Sequence, residues 1–253
     1  LQLDLSSLRI VRDAAAAVNS WDDVPKIDIL INNAALMGWS FELSEDGIEK
    51  QFATNHIGAF LFTNLILPKI VAAKGRIVNV SSAGHRFSPV RFEDWNFNDG
   101  KEYNPQAAYG QSKTANMLYA VSLAEKLKNK GVTAFSLHPG RILTNMGRHL
   151  PVEVLRQMGL VVNEDGSVDT KNSHLKFKTH SQGSATTLVA ALDSGIAERS
   201  GEYLSDCQID HEKVDSALAA ERGTIKEEYA LDRKNAEKLW ELSERLVGEK
   251  FDV

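Results

Sequence analysis

Three short apolar runs, each closed by polar or turn residues, constrain what this chain can fold into. "KIDILINNAA" carries Ile27 to Ile31 and ends in Asn32-Asn33. "GRIVNVSSAG" carries Ile77 to Val80 and ends in Ser81-Ser82, and "GVTAFSLHPGR" ends at Pro139-Gly140. Runs of this kind read as strands buried on both faces, the pattern of a parallel sheet. Parallel neighbours need long crossovers, and helical stretches lie between the runs. These are Ser44 to about Val71, broken near Thr54; Ala107 to Lys130, with a basic end and a stop at Gly131; Gln182 to Ser194; and the amphipathic Asn235 to Val247. Alternating strands and helices predict an α/β fold, a doubly wound Rossmann-like parallel sheet. One domain spanning 1–253 is expected. Gly159 to Lys178 is polar, carries the Asp165-Gly166 turn signal and reads as a variable surface insertion.

Composition narrows the function classes. A chain of 253 residues, 43% hydrophobic, can bury a core without covalent staples. The formal charge of −5 and the lack of a basic stripe argue against a nucleic-acid partner. Cys207 is the only cysteine, so no intrachain disulfide forms, and it reads as a small inert hydrophobe. The seven histidines lack the close pairing of a zinc site, and no metal is expected. His56 and His138 read as packing or hydrogen-bonding residues. No apolar run reaches the ~18 residues of a membrane span, so no span is expected in this chain and the cytoplasm is the expected compartment.

Open sheets of this class bind ligands beyond the carboxyl ends of their strands. Asn32, Ala34, Ser82, Pro139 and Gly140 are therefore expected to face one crevice. The start of the long helix brings Tyr109 and Lys113 to it. A tyrosine titrates near ~10 and is a poor proton carrier at neutral pH. A neighbouring ammonium favours the phenolate, and residues four apart share a helix face. Tyr109 and Lys113 are thus expected to form a general acid–base pair, with the Ser82 hydroxyl bonding the reacting oxygen. Each signal alone is weak. Tyr-x-x-x-Lys also fits a solvated helix face, Ser81-Ser82 a strand end, Asn55 a helix cap or turn, and Asn32-Asn33 a loop. Their order and placement together are far more specific.

The set resembles the short-chain dehydrogenase/reductase family. "NNAA" resembles its Asn-Asn-Ala-Gly motif, with Ala35 for the usual glycine. "TNHIG" aligns Asn55 with the catalytic asparagine, "NVSS" aligns Ser82 with the reactive serine, and "YGQSK" supplies Tyr109 and Lys113. "HPGRILT" resembles the Pro-Gly motif that passes the nicotinamide. The long segment between Ser82 and Tyr109 resembles the retinol-dehydrogenase-like and WW-domain-oxidoreductase-like group. "GEYLSDCQI" and "NAEKLWELSERLVG" resemble the tails of its fungal members.

The resemblance implies an NAD(P)-dependent oxidoreductase acting on a lipophilic alcohol, aldehyde or ketone, with NADP favoured over NAD. It implies that Tyr109 is the general acid or base and that Lys113 lowers its pKa and binds the nicotinamide ribose. Ser82 orients the substrate, and Asn55 holds a relay water. Asp4 touches adenine, with Leu5 in the same cofactor set. Asn32 and Ala34 line the adenine ribose, and Pro139, Gly140, Ile142 and Thr144 hold the nicotinamide side. Met37, Trp39, Phe87 and Met146 are the apolar substrate candidates, although loop aromatics such as Trp39 and Phe87 also fit a core-filling role. The Met146 to Lys178 region is expected to set substrate choice. A homodimer is possible by family resemblance.

In the opening "LQLDLSSL", Leu1 to Leu5 resembles the end of the family's third strand. The first two strands and the Gly-x-x-x-Gly-x-Gly turn have no counterpart, so an N-terminally truncated sheet is expected. The chain is expected to bind cofactor poorly and turn over little, with Leu1–Leu5 frayed or paired abnormally beside Ile27–Ile31. The alternative is a non-enzymatic relative that binds a partner or senses cofactor. A sugar-nucleotide epimerase shares Tyr-x-x-x-Lys but needs more chain at the C-terminus.

Overall fold

The computed structural model describes residues 1–38, 40–147, 150–157, 159–173, 175–210 and 226–253. Ile29–Asn32 (β1), Arg76–Val80 (β2) and Thr133–His138 (β3) lie side by side and parallel. The register sets Ile29 opposite Arg76, and Arg76 opposite Thr133. Tyr203–Ser205 (β6) continues the sheet in parallel, and Gln208–Ile209 (β7) closes it antiparallel, giving the order β1-β2-β3-β6-β7. A hairpin of Val161–Val162 (β4) and Val168–Asp169 (β5) stands apart from this sheet.

Alternation along the strands divides the core into two layers, as a doubly wound sheet requires. Ile77 and Ala134 face helices α1 (Leu8–Asn19), α3 (Gly58–Ala73), α4 (Pro105–Leu127) and α7 (Arg233–Val247). Val78, Val80, Phe135 and Leu137 face the other way, onto Ala190 and Ala191 of α6 (His180–Leu192). The helices start where their capping residues dictate. Asn104 accepts the Ala107 N–H and Pro105 occupies the first turn of α4, while Thr179 and Gln182 form a reciprocal capping box on α6.

The expected break near Thr54 is a widened turn instead. Lys50–Phe52 (α2), a π turn at Ala53–Ile57 and α3 run on as one helix from Lys50 to Ala73. By length and composition that helix is long and apolar enough to cross a membrane. It is mostly buried in the protein, as a core helix is.

Leu1–Leu5 joins no strand, so of the two expected outcomes the abnormal pairing beside Ile27–Ile31 does not occur. Ser7 caps α1, and the Leu8 N–H bonds the Asp46 carboxylate. Leu5 lies on α3 at Gly58, where an added Cβ would come 2.1 Å from the Leu5 carbonyl oxygen. That anchoring draws the segment away from β1. Among the described residues no strand pairs with the outer side of β1, where Ile29 and Ile31 are 38% and 40% exposed.

Candidate active site

The end of β2 and the start of α4 meet through two glycines. Ser82 is extended and its Oγ accepts the Gly84 N–H at 3.0 Å, opening the 3₁₀ segment Ala83–Phe87. That segment lies directly on the first turns of α4. A Cβ on Gly84 would sit 2.8 Å from Tyr109 Cε1, and one on Gly110 would sit 2.9 Å from the Gly84 carbonyl oxygen and 2.8 Å from the Ser88 nitrogen. The close approach places the Tyr109 ring and the Ser82 hydroxyl side by side at Gly84, and Met146 Sδ lies 4.0 Å from the phenol oxygen. Neither glycine is a predicted site residue, although Gly84 lies two residues after Ser82 in "SSAG" and Gly110 directly follows Tyr109 inside "YGQSK".

Lys113 is 2% exposed, and its Nζ lies 5.6 Å from the centre of the Tyr109 ring. Nζ donates to the Val80 carbonyl at 3.1 Å. Burial pushes the ammonium down to about 8. Burial pushes the Tyr109 phenol up, against a smaller downward pull from the Ser82 hydrogen bond. The expected lowering of the phenol by Lys113 is therefore not what governs it here. Desolvation wins, and Tyr109 is neutral at neutral pH.

Asn55 sits in the π turn, fully buried. Its Oδ1 accepts the Leu36 N–H at 2.8 Å, and its Nδ2 donates to the Leu36 carbonyl and to Ser112 Oγ, both at 2.9 Å. Both side-chain donors are committed, so this amide braces the loop after β1 against α4. π turns of this kind often occur at functional sites.

Ser82 and Tyr109 open onto a cavity of about 740 Å³. Gly140, Ile142, Thr144, Met37, Phe87 and Met146 line it with them. Trp39 lies outside the described residues. Asn55 and Lys113 stand behind the wall, and Asp4, Leu5, Asn32, Ala34 and Pro139 are not part of the lining. The Asn32 amide instead donates to Thr63 at 3.0 Å and Asn79 at 2.9 Å, tying β1 to α3 and β2. The Asp4 carboxylate is exposed and held below its ordinary range by the Ser6 hydroxyl and N–H.

Gly159 to Lys178 lies at the surface, with no described residue fully buried, yet it carries one side of the cavity lining. Leu160, Val168, Leu175 and Phe177 turn inward and, with Leu150 and Leu155 of the preceding stretch, form the apolar wall of the cavity. Lys178 anchors the segment: its N–H bonds the Arg141 carbonyl at 2.8 Å, and its side chain pairs with Asp206. Gly140, at φ +94°, passes so close that a Cβ would sit 2.5 Å from Lys178 Cδ.

The two histidines beside motif residues are neutral. His138 Nδ1 accepts the Ala83 N–H at 3.2 Å, and burial, with the charges of Lys178 and Arg141, pushes it down to about 3. His56 packs among Phe52, Phe60 and Tyr119 and bonds Ser243, and burial pushes it down to about 3. Among the described residues no cluster of His, Cys, Asp or Glu has the makings of a metal site.

A family model described as enoyl-(acyl carrier protein) reductase matches residues 1–160. The chloroplastic short-chain dehydrogenase TIC 32 A of Brassica napus is 40% identical over 258 residues, covering 98% of this chain and 71% of the relative. This chain belongs to the short-chain dehydrogenase/reductase family. Retinol dehydrogenase 14 of Mus musculus is 36% identical over 250 residues, covering 98% of this chain but 66% of its own length. A crystal structure of an uncharacterized protein from Mycobacterium paratuberculosis matches with a TM-score of 0.63 at 27% identity, over 100% of this chain and 76% of that one. The short-chain dehydrogenase/reductase assignment makes the protein an oxidoreductase of CH–OH groups, with retinol-dehydrogenase-like relatives.

Proposed function

We propose that this oxidoreductase interconverts a lipophilic alcohol with its aldehyde or ketone, using NADP in preference to NAD. The carrying observation is that Tyr109 and Ser82 line one cavity together with the apolar side chains of Leu160, Val168, Leu175 and Phe177. When bound, the nicotinamide supplies or accepts the hydride. Gly140, Ile142 and Thr144 line the same cavity and are the residues that would hold its reactive end. The adenine-side set (Asp4, Leu5, Asn32 and Ala34) does not line that cavity, so the fit is to the nicotinamide end.

In reduction, Ser82 donates a hydrogen bond to the carbonyl oxygen and Tyr109, neutral before the step, gives that oxygen its proton. In oxidation, Tyr109 takes the alcohol proton. Lys113 stabilises the phenolate that remains after the proton leaves, from behind the ring. Asn55 keeps the loop after β1 against α4, and the apolar wall excludes water from the reacting oxygen. Turnover is tested by following nicotinamide absorbance with a panel of fatty and aromatic aldehydes, in the parent and in Tyr109→Phe. General acid–base catalysis is worth ~10²–10⁴-fold, and a loss of that size is expected in the variant. Near-normal turnover by a folded Tyr109→Phe protein would sink the assignment.

A further inference from the structure

Gln51 is 1% exposed and joins two walls of the cavity. Its Oε1 accepts the Gly38 N–H at 3.1 Å. Its Nε2 donates to the Tyr103 hydroxyl at 2.9 Å and to the Pro105 carbonyl at 3.3 Å. Met37 and Gly38 line the cavity from the loop after β1, and Pro105 and Gln106 line it from the start of α4. The base of this bridge is rigid. Glu49 caps the helix by accepting the N–H groups of Gln51 at 3.1 Å and Phe52 at 2.7 Å, and it also accepts the Tyr103 hydroxyl at 3.2 Å. One turn further on, Asn55 makes the matching bridge from Leu36 to Ser112.

We propose that Gln51 is a positioning residue for substrate, fixing the gap between the Met37–Gly38 wall and the Pro105–Gln106 wall beside Tyr109. This rests on reading the cavity as the substrate site. The position demands one acceptor and two donors at once, which a carboxamide carries and other side chains of this length do not. A glutamate keeps the acceptor but loses both donors and adds a carboxylate beside Glu49. A methionine fills the volume and makes none of the bonds, so the half-buried Gly38 N–H loses its acceptor and the tie to Pro105 is gone.

The test compares the parent, Gln51→Met and Tyr103→Phe by calorimetric titration with decanol and by hydrogen exchange. Tyr103→Phe removes one partner of Gln51 while sparing both cavity walls. Gln51→Met is expected to weaken decanol binding about tenfold and to speed exchange of the Gly38 amide. Exchange at Phe60 and Leu61, deep in α3, should stay as in the parent. Tyr103→Phe should hold decanol affinity within about twofold of the parent. Where turnover is present, Gln51→Met should raise KM for aldehyde more than it lowers kcat, the pattern of lost substrate binding. Unchanged decanol affinity with a freed Gly38 amide overturns the inference. So does a loss that tracks faster exchange throughout α3, or an equal loss in Tyr103→Phe. Decanol binding without nicotinamide-dependent turnover in the parent would sink the proposed activity and leave this inference standing. No decanol binding by the parent would overturn both.

Discussion

The Lys113 ammonium and the Asn116 amide converge on one acceptor, the Val80 carbonyl, each at 3.1 Å. Among the described residues no carboxylate bonds Lys113, a buried cation. Burial lowers its pKa from 10.5 to about 8. The sign follows from linkage: between about 8 and 10.5 the unfolded chain holds a proton that the folded chain has released, so this group's contribution to stability rises with pH across that window. Below about 8 the folded protein bears the full cost of the buried charge.

Lys113→Met is accordingly expected to unfold at a higher temperature than the parent at pH 7. The advantage should shrink steadily from about pH 8 towards 10. Asn116 still satisfies the Val80 carbonyl in the variant, so no acceptor is stranded. Thermal unfolding of both proteins across this pH range measures the difference. A gap that widens with pH would show that the ammonium is compensated in the fold. Turnover should fall in the same variant, because the phenolate of Tyr109 loses its counter-charge.

The two glycines at the junction of the Ala83–Phe87 segment and α4 should respond differently to alanine. At Gly84 the new methyl meets the Tyr109 ring edge, which can tilt. At Gly110 it meets backbone atoms of Ser88 and Gly84, which cannot move without displacing the segment. Gly84→Ala is expected to cost turnover about 10²-fold with a modest change in stability, since a ~1 Å misplacement of a reacting group costs that much. Gly110→Ala should cost stability by about 1–3 kcal/mol as an overpacking substitution. Denaturant midpoints beside kcat separate the two outcomes, and equal effects on both readouts in both variants would contradict this account.

The strand ends and the Tyr-x-x-x-Lys spacing were legible in the sequence because periodicity and turn residues encode them locally. Helix bounds shifted by a few residues, with α4 beginning at Pro105 rather than Ala107, where Asn104 and Pro105 carry the capping signal. What the sequence hid was long-range. Nothing near Gln51 says that its amide will reach Gly38 and Pro105. Nothing in "LQLDL" says that the Leu5 carbonyl will seat on Gly58 in preference to a strand. Which apolar residues of Gly159 to Lys178 turn to the cavity is likewise not written in their spacing, because they are few and interleaved with charge. The raised pKa of Tyr109 depends on how deeply α4 is buried, which spacing alone does not report.

The outer edge of β1 is a second consequence of the sheet order. Ile29 and Ile31 are each more than a third exposed on a strand whose outer side has no partner among the described residues. An apolar edge of this kind templates pairing with another chain, and a lysine there blocks it. Ile31→Lys is expected to reduce self-association of the purified chain in light scattering at rising concentration. Folding should be largely unaffected, because surface changes away from special contacts shift stability by only about 0.5 kcal/mol. Identical scattering by parent and variant would show that the edge is not the contact.

The apolar wall contributed by Leu160, Val168, Leu175 and Phe177 predicts where substrate length is read. Phe177 lies just before Lys178, whose backbone and ion pair fix the end of this wall against Arg141 and Asp206. Shortening Phe177 should therefore enlarge the cavity without loosening its anchor. Phe177→Ala is expected to lower kcat/KM for short aldehydes, which lose contacts, and to raise relative preference for longer ones, which fill the new space. Each buried methylene is worth ~0.8 kcal/mol, so a two-carbon shift in the preferred chain length amounts to roughly tenfold in relative kcat/KM. Cofactor KM should stay within about twofold, since a substrate-wall change leaves the nicotinamide-side residues Gly140, Ile142 and Thr144 in place. The measurement is a kcat/KM series over aldehydes of increasing length. A profile that falls uniformly, with no change of order, would mean that this wall supports the fold and does not measure the substrate.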